Sequence, residues 1–501
     1  MTSSTSTRLL RALPVLLAMV APIGCTVGPN FTRPKPALPP QWSSQSTAPA
    51  AQSASRVNSS AAELAPWWDQ FKDPQLSSLI QRSRTSNLDV RQAVLRISEA
   101  RTERDVTAAG LWPSVSVNAS YSRSRFSDST YTGKLFSSFG SFNVPGLPAV
   151  TVPNPYNQYQ LGFGASWEID LFGRLRRSIE ASNADVEAST EDHRAVLISL
   201  DSDVARTYVD LRGAQLRKSV TEASLATERE VLELTSDRQA AGLTTDLDVA
   251  DAAAQVKTTE AQLPQLELQI TQDMNQLAKL MALDPEALRG ELADAHPVPP
   301  VPPQIPIGLP ADLARRRPDI REAEQKLHAA TARVGVAVAD LFPRLTLSAQ
   351  GGVQSEGPGK LLDWASRFGS IGPTFEVPIF DRGRWVTVKL QDIRAQEAAL
   401  AYAQTVLAAL HEVENALAAY RADQERRAEL AGAVDQSRDA LDLARQRYMS
   451  GITNFLVVLD AERTLQQNDQ SLAESITSVS ADLVALYRTL GGAPTGGDES
   501  Q

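Results

Sequence analysis

Apolar residues recur along this chain with two different periods, and the two periods alternate. From Val115 to Tyr121 every second residue is apolar and the residues between are Ser or Asn, which predicts a strand with one apolar and one polar face. The same alternation occurs in residues 156–169, 345–350 and 371–379. The long segment after each strand pair carries apolar residues at steps of three and four, as a helix does. The predicted fold class is mixed α and β, mostly α.

Very long helices are predicted after each strand pair. Between Leu175 and Ala241 there is no proline and only Gly213 as a weak breaker, so a helix of about 100 Å is expected at the usual rise per residue. Pro264 is expected to kink the helix that follows, because proline has no N–H to donate. Apolar residues seven apart predict coiled-coil seams at Leu263, Ile270 and Leu277 and again at Val434, Leu441 and Tyr448.

The order of elements is repeated once, roughly 210 to 230 residues later. Corresponding motifs occur before the first strand of each copy, after the second strand, and in the turn between paired helices. They are Leu111-Trp112-Pro113 and Leu341-Phe342-Pro343, residues 168–174 and 376–383, and the glycine turns at Gly242 and Gly451. Two copies are too few for a solenoid, which needs about three or more stacked units. An internal two-fold repeat within one larger assembly is the better interpretation.

Composition and charge exclude several functions. The 501 residues are 42% hydrophobic but only 6% aromatic, and the net charge is −10, so a basic surface for nucleic acid is not expected. No nucleophile elbow, phosphate-binding loop or dinucleotide fingerprint occurs, so the chain is predicted not to be an enzyme and to need no cofactor. No metal site is expected either, because metal-ligand spacing is absent among His193, His296, His328 and His411.

The N-terminal residues predict a lipoprotein signal. Arg8 and Arg11 precede an apolar run over residues 13–20, which is too short to span a bilayer and is typical of a signal peptide. Cys25 follows at the expected cleavage site and is the only cysteine, so it is predicted to carry a diacylglycerol and an N-acyl chain. At about 0.8 kcal/mol per buried methylene these chains would anchor the protein in a membrane. Pro22 stands where such signals usually carry Leu, and a chance cysteine in an ordinary signal peptide is the alternative.

The predicted strands have the length and alternation of membrane strands. Each run has about 10 residues, enough for a tilted strand to cross a bilayer with its apolar side outward. A half-buried sheet in a soluble domain is the alternative for any single strand. Four strands cannot close a barrel, and an open edge in hydrocarbon would leave backbone groups unpaired. Eight strands from two chains would be filled by side chains. Three chains would form a twelve-stranded barrel with a lumen.

Taken together, these residues resemble the TolC-like outer-membrane efflux channels, in particular the lipoprotein branch of NodT or OprM type. Residues 25–31 resemble the start of that branch, and Arg316-Arg317-Pro318-Asp319-Ile320 resembles its mid-chain motif. The resemblance covers essentially the whole mature chain. It implies a trimeric twelve-stranded transmembrane β-barrel, with four strands per protomer. This barrel would be continuous with a long α-helical coiled-coil periplasmic barrel and girdled by an equatorial domain.

The resulting domain boundaries follow the strand and helix patterns. They are a signal peptide over 1–24, a lipidated Pro/Ser-rich tether over 25–65, an equatorial helical segment over 66–110, strand pair 1 over 111–174, helical hairpin 1 over 175–280, an equatorial linker and helix over 281–340, strand pair 2 over 341–384, helical hairpin 2 over 385–490 and a C-terminal tail over 491–501.

The resemblance implies an exit duct of a tripartite efflux pump that exports drugs or other small toxic compounds. The partners would be two further copies of the chain, a periplasmic adaptor, an inner-membrane resistance-nodulation-division transporter and outer-membrane lipid. A duct of a type I protein secretion system is the alternative, because a tube does not reveal its cargo. A lipidated periplasmic adaptor would need one hairpin and no membrane strands. An envelope hydrolase would need a nucleophile or metal constellation, which the sequence lacks.

The resemblance also implies a periplasmic gate at the helix turns, which would seal the resting tube. The predicted gate residues are Asp248 in the first copy and Tyr448, Leu456, Asp460 and Arg463 in the second. Three copies of Asp460 near a three-fold axis would repel one another, and Arg463 lies three residues further along the helix as a candidate partner. Coiled-coil packing and solvated charge are the alternative for each residue.

Two departures from the family pattern reduce the set of residues predicted to form the gate. Thr453 and Val457 stand where some relatives carry an arginine and a further aspartate, which favours one acidic ring from Asp460 with an apolar ring from Leu456. The residues predicted to contact the adaptor are those of the two helix turns, Gly242, Leu243, Gly451 and Ile452.

Overall fold

A computed structural model describes most of the chain. The described residues are 26–35, 38–43, 56–58, 66–127, 129–131, 133–134 and 154–492. The predicted signal peptide, Cys25 and residues 493–501 of the predicted tail lie outside them. The described residues divide into two compact units. Unit 1 lies within residues 26–32, 100–186 and 327–398, and unit 2 lies within residues 33–99, 187–326 and 399–492.

The four strands of the predicted strand pairs and the long helices follow one another in the order that the sequence predicts, whereas the short strands β1 and β4 were not predicted. The strands are β1 (Arg56–Asn58), β2 (Ser114–Ser124), β3 (Tyr156–Ile169), β4 (Gln304–Pro306), β5 (Arg344–Ser355) and β6 (Arg367–Glu376). The helices are α1 (Pro74–Ser86), α2 (Leu88–Ala109), α3 (Arg174–Ala240), α4 (Asp246–Glu260), α5 (Leu263–Leu280), α6 (Arg289–Leu292), α7 (Pro310–Arg316), α8 (Pro318–Ala339), α9 (Arg382–Met449) and α10 (Phe455–Thr489).

Unit 1 contains an antiparallel sheet in the order β2-β3-β5-β6. Its register places Ser116, Gly164, Gln350 and Ser370 in one row across the four strands. Because side chains alternate between the faces of a strand, the small polar residues share one face and the apolar residues share the other. Strand β6 ends at Glu376, earlier than the predicted alternation, since the nearby Pro378 cannot donate to a ladder.

Unit 2 is held together by a core of aromatic and aliphatic side chains. Trp67 stacks on Tyr487 with ring centroids 5.2 Å apart, and both side chains are at most 1% exposed. Tyr208, also 1% exposed, donates a hydrogen bond of 2.8 Å to Asp73 Oδ2, while Asp73 Oδ1 caps the start of α1. This core therefore has both an apolar interior and satisfied polar groups at its border.

The long helices run as predicted, with two informative details. Helix α3 has 67 residues and α9 has 68, and α3 passes through Gly213 without a break. A Cβ atom at Gly213 would collide with the Thr477 side chain, so this glycine permits a close helix approach and does not act as a breaker. The helix predicted to kink at Pro264 is interrupted just before this residue, because α4 ends at Glu260 and α5 begins at Leu263. None of the described helices combines the length and apolar character needed to cross a membrane.

The predicted tether differs from the structure wherever it is described. Trp42 is 1% exposed and its Nε1 donates to the carbonyl of Gly308 at 3.0 Å. Strand β1 pairs in parallel with β4, and Val27 N donates to the carbonyl of Phe172 at 3.2 Å. These contacts could not be predicted from the sequence, because a short strand and an isolated tryptophan show no periodicity. These parts are packed against the protein rather than extended from it.

Candidate functional site

The first helix turn lies between α3 and α4 and depends on a glycine. Gly242 has a φ of +74°, and its amide donates to the carbonyl of Gln239 at 2.8 Å. The amide of Leu243 donates to Arg238 O at 2.8 Å, which completes a helix-ending motif that favours glycine in the left-handed conformation. The side chain of Leu243 is 67% exposed. The turn therefore presents an apolar side chain on a fixed backbone.

Asp248 lies in the first turn of α4, where it caps the helix. Its carboxylate accepts hydrogen bonds from the Thr244 hydroxyl and from Thr245 N at 3.1 Å, and the Thr245 side chain accepts from Asp248 N in return. The Thr244 hydrogen bond is the main reason that the pKa of Asp248 is lowered. This predicted gate residue is thus engaged in a reciprocal capping box within its own chain.

The second helix turn has the same backbone design. Gly451 has a φ of +70°, and its amide donates to the carbonyl of Tyr448 at 3.0 Å. Ile452 N donates to Arg447 O at 2.9 Å, and the Ile452 side chain is 67% exposed. Asn454 occupies the N-cap of α10 without a side-chain capping bond. The sequence correspondence between the two turns is therefore a correspondence of backbone geometry.

Tyr448 lies inside the second helix pair rather than on its surface. Its side chain is 6% exposed and its ring is tilted against Phe455 with centroids 5.8 Å apart. The guanidinium of Arg238 on α3 lies 4.7 Å from the centroid of the Tyr448 ring, a cation–π contact between the two pairs. Leu441 and Val458 complete the cluster. In the described chain Tyr448 is a core residue.

Leu456 and Asp460 lie on the opposite, exposed side of α10. Leu456 is 59% exposed and Asp460 is also exposed, and their spacing of four residues places them on one helix face. The predicted pairing of Asp460 with Arg463 is wrong for the described chain, because Arg463 Nε donates instead to Gln255 Oε1 at 2.8 Å. Helical spacing allowed the first pairing, but packing of α10 against α4 offers Arg463 a nearer acceptor.

A set of buried polar residues near these turns was missed by the sequence analysis. Glu228 on α3, Gln255 and Thr259 on α4 and Gln466 on α10 form connected hydrogen bonds between the helix pairs. Polar residues in a helix are normally assigned to a solvated face. The available signal was the position of Gln255 and Thr259 in the same helical stripe as the buried Ala252 and Val256.

The mid-chain arginine of the predicted family motif has a structural role. Arg317 is 9% exposed and its guanidinium pairs with Asp319 at 2.7 Å and with Glu412 at 2.8 Å. It also donates to the carbonyl of Thr489 at 3.0 Å. A single guanidinium thus joins the start of α8 to α9 and to the end of α10, all within unit 2. Arginine suits this position because its donors point in fixed, divergent directions.

Unit 1 holds the residues that directly follow Cys25. Arg177, which is 3% exposed, donates to the Val27 carbonyl at 3.2 Å and to Asn30 Oδ1 at 2.5 Å. Phe31 stacks on His328 with ring centroids 4.5 Å apart. Cys25, the predicted lipid attachment point, therefore directly precedes the described residues 26–35.

In the part of the chain that the structure describes, no group of three or more His, Cys, Asp or Glu side chains is arranged to hold a metal ion.

Two pairs of long antiparallel helices, combined with four antiparallel strands that have one polar and one apolar face, define a class of helical outer-membrane proteins. The chain belongs to the outer membrane efflux protein family, whose model matches residues 79–283 and 309–492. It is similar to nodulation protein T of Rhizobium leguminosarum bv. viciae, with 32% identity over 95% of this chain and 91% of the relative. It is also 31% identical to outer membrane protein OprJ of Pseudomonas aeruginosa, over 93% of each chain.

Solved structures agree with this family assignment. The outer-membrane channel OprN has 36% identity and a TM-score of 0.80, covering 93% of this chain and 99% of that one. The channel CusC has 26% identity and a TM-score of 0.77, covering 93% and 100%. The protein is therefore an outer-membrane efflux protein that extends into the periplasm, and its homologues are channels rather than enzymes.

Proposed function

We propose that the protein is the exit duct of a tripartite pump that exports drugs or other small toxic compounds across the outer membrane. The duct performs no chemistry and holds no cofactor. Its relatives include the antibiotic efflux pump outer membrane protein ArpC and the toluene efflux pump outer membrane protein TtgI of Pseudomonas putida, each 31% identical. An inner-membrane transporter of the resistance-nodulation-division type supplies the energy, and a periplasmic adaptor joins the two.

The observation that carries this proposal is the two-faced sheet with two unpaired edges. Strands β2 and β6 each pair on one side only within the described chain. Val117 on β2 and Ile371 on β6 are each 75% exposed, and both belong to the apolar face. Open edges and an apolar face are unfavourable in water but complete a barrel in lipid. Three copies of the four strands give a homotrimer with a twelve-stranded barrel.

The opposite face of the sheet suits the lining of a water-filled pore. Serine, glycine and glutamine follow one another across the strands, as in the row of Ser116, Gly164, Gln350 and Ser370. Small neutral side chains leave space and form hydrogen bonds with water without retaining a charged solute. A lumen of this composition passes chemically diverse compounds, which is what export of drugs requires.

In this proposal each strand pair of the two-fold repeat belongs to the membrane part of the protein, and each helix pair belongs to the periplasmic part. We assign residues 111–174 and 341–384 to the barrel, 175–280 and 385–490 to the two hairpins of a periplasmic helical barrel, and 66–110 with 281–340 to the equatorial domain. Cys25 carries the lipid anchor. The ordered contacts of Val27 and Asn30 with Arg177 support an anchor held close to the protein.

The gate of the duct is proposed at the exposed face of α10. Leu456 and Asp460 are free to meet their counterparts from other protomers, because neither is buried within its own chain. The pairing of Arg463 with Gln255 leaves the charge of Asp460 without that intrachain partner, so an acidic ring needs hydrogen bonds or a cation from elsewhere. Leu456 adds an apolar ring that excludes water. Asp248 and Tyr448 stabilise the turns behind this face.

The exposed apolar residues of the two turns are proposed as the adaptor contacts. Leu243 and Ile452 are each 67% exposed, and each follows a glycine that fixes the backbone. An exposed apolar side chain on a turn of fixed backbone is suited to a protein contact, because little conformational freedom is lost on binding.

Single-channel recording tests the duct and its gate together. Purified wild-type protein in planar bilayers should form closed or weakly conducting trimers, and Leu456→Ser or Asp460→Ala should increase conductance by removing the seal. Cells with these variants should become sensitive to large antibiotics such as vancomycin. Leu443→Ser is the matched control, because Leu443 on α9 is 60% exposed and is not assigned to the gate. Wild-type behaviour of correctly assembled gate variants would place the seal elsewhere.

A further inference from the structure

Two buried carboxylates lie where the helix pairs of unit 2 pack against each other. Glu228 on α3 is 2% exposed, and Glu462 on α10 is 6% exposed. Neither has a role in the gate face or in the helix turns described above. Carboxylates are rarely buried to this extent unless a cation or several donors compensate them.

The hydrogen bonds of Glu228 satisfy only one of its two oxygens. Its Oε1 accepts from Gln255 Nε2 at 3.1 Å and from Thr259 Oγ1 at 2.9 Å. Its Oε2 is buried and has no hydrogen-bond partner among the residues that the structure describes. An ionised carboxylate in this setting loses hydration at Oε2 without replacement, whereas a proton on that oxygen removes the charge.

Glu462 is compensated by a single weak ion pair. Arg445 Nη2 on α9 lies 3.3 Å from Glu462 Oε1, longer than the roughly 2.8 Å of a strong charge-assisted bond. Arg445 Nε is itself buried and has no hydrogen-bond partner within the described part of the chain. The pKa of Glu462 is raised to about 7, mainly by burial; the charge of Arg445 lowers it and the negative charge of Glu228 raises it within that net value. Burial likewise raises the pKa of Glu228.

The other groups facing this pair do not neutralise it. From α4 the facing residues are Gln255 and Thr259, which are neutral. From α10 the nearby charge is Arg463, which lowers the pKa of Glu228 but makes its hydrogen bond to the Gln255 amide and not to a carboxylate. The environment of the two carboxylates therefore favours the protonated form, and for Glu462 this raises the pKa to about 7, so that a proton is bound below neutral pH.

The same residues connect the two helix pairs. Gln255 Nε2 also donates to Gln466 Oε1 at 3.2 Å, and Gln466 Nε2 donates to Thr259 Oγ1 at 3.0 Å. Because Glu228 accepts from both Gln255 and Thr259, it orients the groups that join α4 to α10. A change at Glu228 therefore acts on the contact between the pairs, and the charge of Glu462 acts on it through repulsion between the two carboxylates.

We propose that Glu228 and Glu462 form a proton-binding site between the two helix pairs, which takes up a proton from water when the pairs pack and releases it when they separate. Its consequence for gating rests on the proposed function, in which opening at the helix turns requires the pairs to move apart. The site itself requires only the packing that the structure shows.

The direction of the pH dependence follows from the raised pKa of Glu462. When the pairs separate, the carboxyl regains water and returns toward its ordinary value of 4.5, from about 7 in the packed state. Acid therefore favours packing, and this advantage is lost as pH rises from about 4.5 through about 7. The ratio of packed to separated pairs should fall about tenfold between pH 6 and pH 8.

Infrared titration of the purified full-length protein tests the site directly. The carbonyl stretch of a protonated carboxyl group should disappear with a midpoint near pH 7. Asp482 also has a pKa raised to about 7, so the measurement is the difference between wild type and Glu462→Gln. Glu474→Gln on the same helix is the control, because Glu474 is half-exposed and pairs with Arg217. A difference spectrum without a band titrating in this range overturns the proposal. If Glu462→Gln does not fold, Glu462→Asp should retain the band with a changed midpoint.

Single-channel conductance supplies a second readout, which depends on the proposed function as well as on the proton-binding site. Open probability of the wild type should rise between pH 6 and pH 8, by up to about tenfold for each protomer whose helix pairs must separate, and Glu462→Gln should abolish most of this rise. A conducting wild type without pH dependence contradicts the site. A wild type that never conducts contradicts the proposed function instead, while the infrared result still decides the site.

Discussion

The two helix turns share one backbone design but are stabilised by different side chains. Gly242 and Gly451 have nearly the same φ, +74° and +70°, and both turns use hydrogen bonds to the last carbonyls of the preceding helix. The first turn then relies on polar capping by Thr245 and Asp248. The second has no side-chain cap and relies on the buried ring of Phe455, which is 2% exposed.

This difference shows what the two turns share and what they do not. Both turns have a left-handed glycine, because that conformation ends a helix while satisfying its last carbonyls. The side chains that stabilise the start of the following helix differ between the two turns, since a polar cap and an apolar contact can each order the first turn of a helix. The first pair is also interrupted between Glu260 and Leu263, whereas α10 continues for 35 residues. The second pair should therefore be the stiffer of the two.

The largest expected effect is loss of the aromatic contact in the second turn. Phe455→Ala should reduce the free energy of local opening at the start of α10 by about 3–5 kcal/mol, because it leaves a cavity beside Tyr448. Hydrogen exchange of the amides in the first turns of α10 measures this loss. Leu234→Ala on α3 is the control, since Leu234 is 41% exposed and should cost much less. Equal effects would show that the second turn does not depend on its aromatic core.

Both glycines should be equally sensitive to substitution. Gly242→Ala and Gly451→Ala should each cost about 1–2 kcal/mol, because alanine is strained at positive φ. No atom lies within 4 Å of a Cβ built at either position, so the cost comes from the backbone alone. Asparagine tolerates this conformation better, and Gly→Asn at either site should recover part of the loss. Thermal unfolding of the four variants measures the comparison, and clearly unequal alanine costs would contradict a shared backbone design.

The polar cap should matter only in the first turn. Thr245→Ala should destabilise the start of α4 by about 1 kcal/mol, and Thr245→Ser should retain most of the cap. Asn454→Ala should change little, because the Asn454 side chain makes no capping bond. Hydrogen exchange at the two helix starts measures both. Since hydrogen bonding lowers the pKa of Asp248, its part of the cap should persist at neutral pH and be lost only as pH falls below its ordinary value of 3.8.

The smallest effect on stability is expected at the exposed tips. Leu243→Ala and Ile452→Ala should alter the unfolding free energy by no more than about 0.5 kcal/mol, because both side chains are exposed. If the turns contact the adaptor, the same variants should weaken cross-linking to it. Leu268→Ala, 48% exposed on α5, should leave cross-linking unchanged. Unaltered cross-linking of a Leu243 and Ile452 double variant would remove the turns from the adaptor interface.

The candidate site was predictable only in part, and the successes and failures have a physical pattern. The two turns were predicted because each contains a glycine, the residue type that adopts the left-handed conformation most easily. The location of Leu456 and Asp460 on one exposed face also follows from helical spacing. The partner of Arg463 could not be predicted, since Gln255 lies 208 positions away and spacing along one helix carries no information about it.

The sequence by itself determined the strands, the long helices and the turns, because local periodicity, proline and glycine act within a few residues. It also determined that one face of the sheet is small and polar. Only the tertiary structure decided that Trp42 is buried, that Arg317 joins three segments and that Glu228 and Glu462 come together away from water. These outcomes depend on contacts between residues distant in the chain. Burial is what changes the chemistry of a carboxylate, and burial is a property of packing rather than of local sequence.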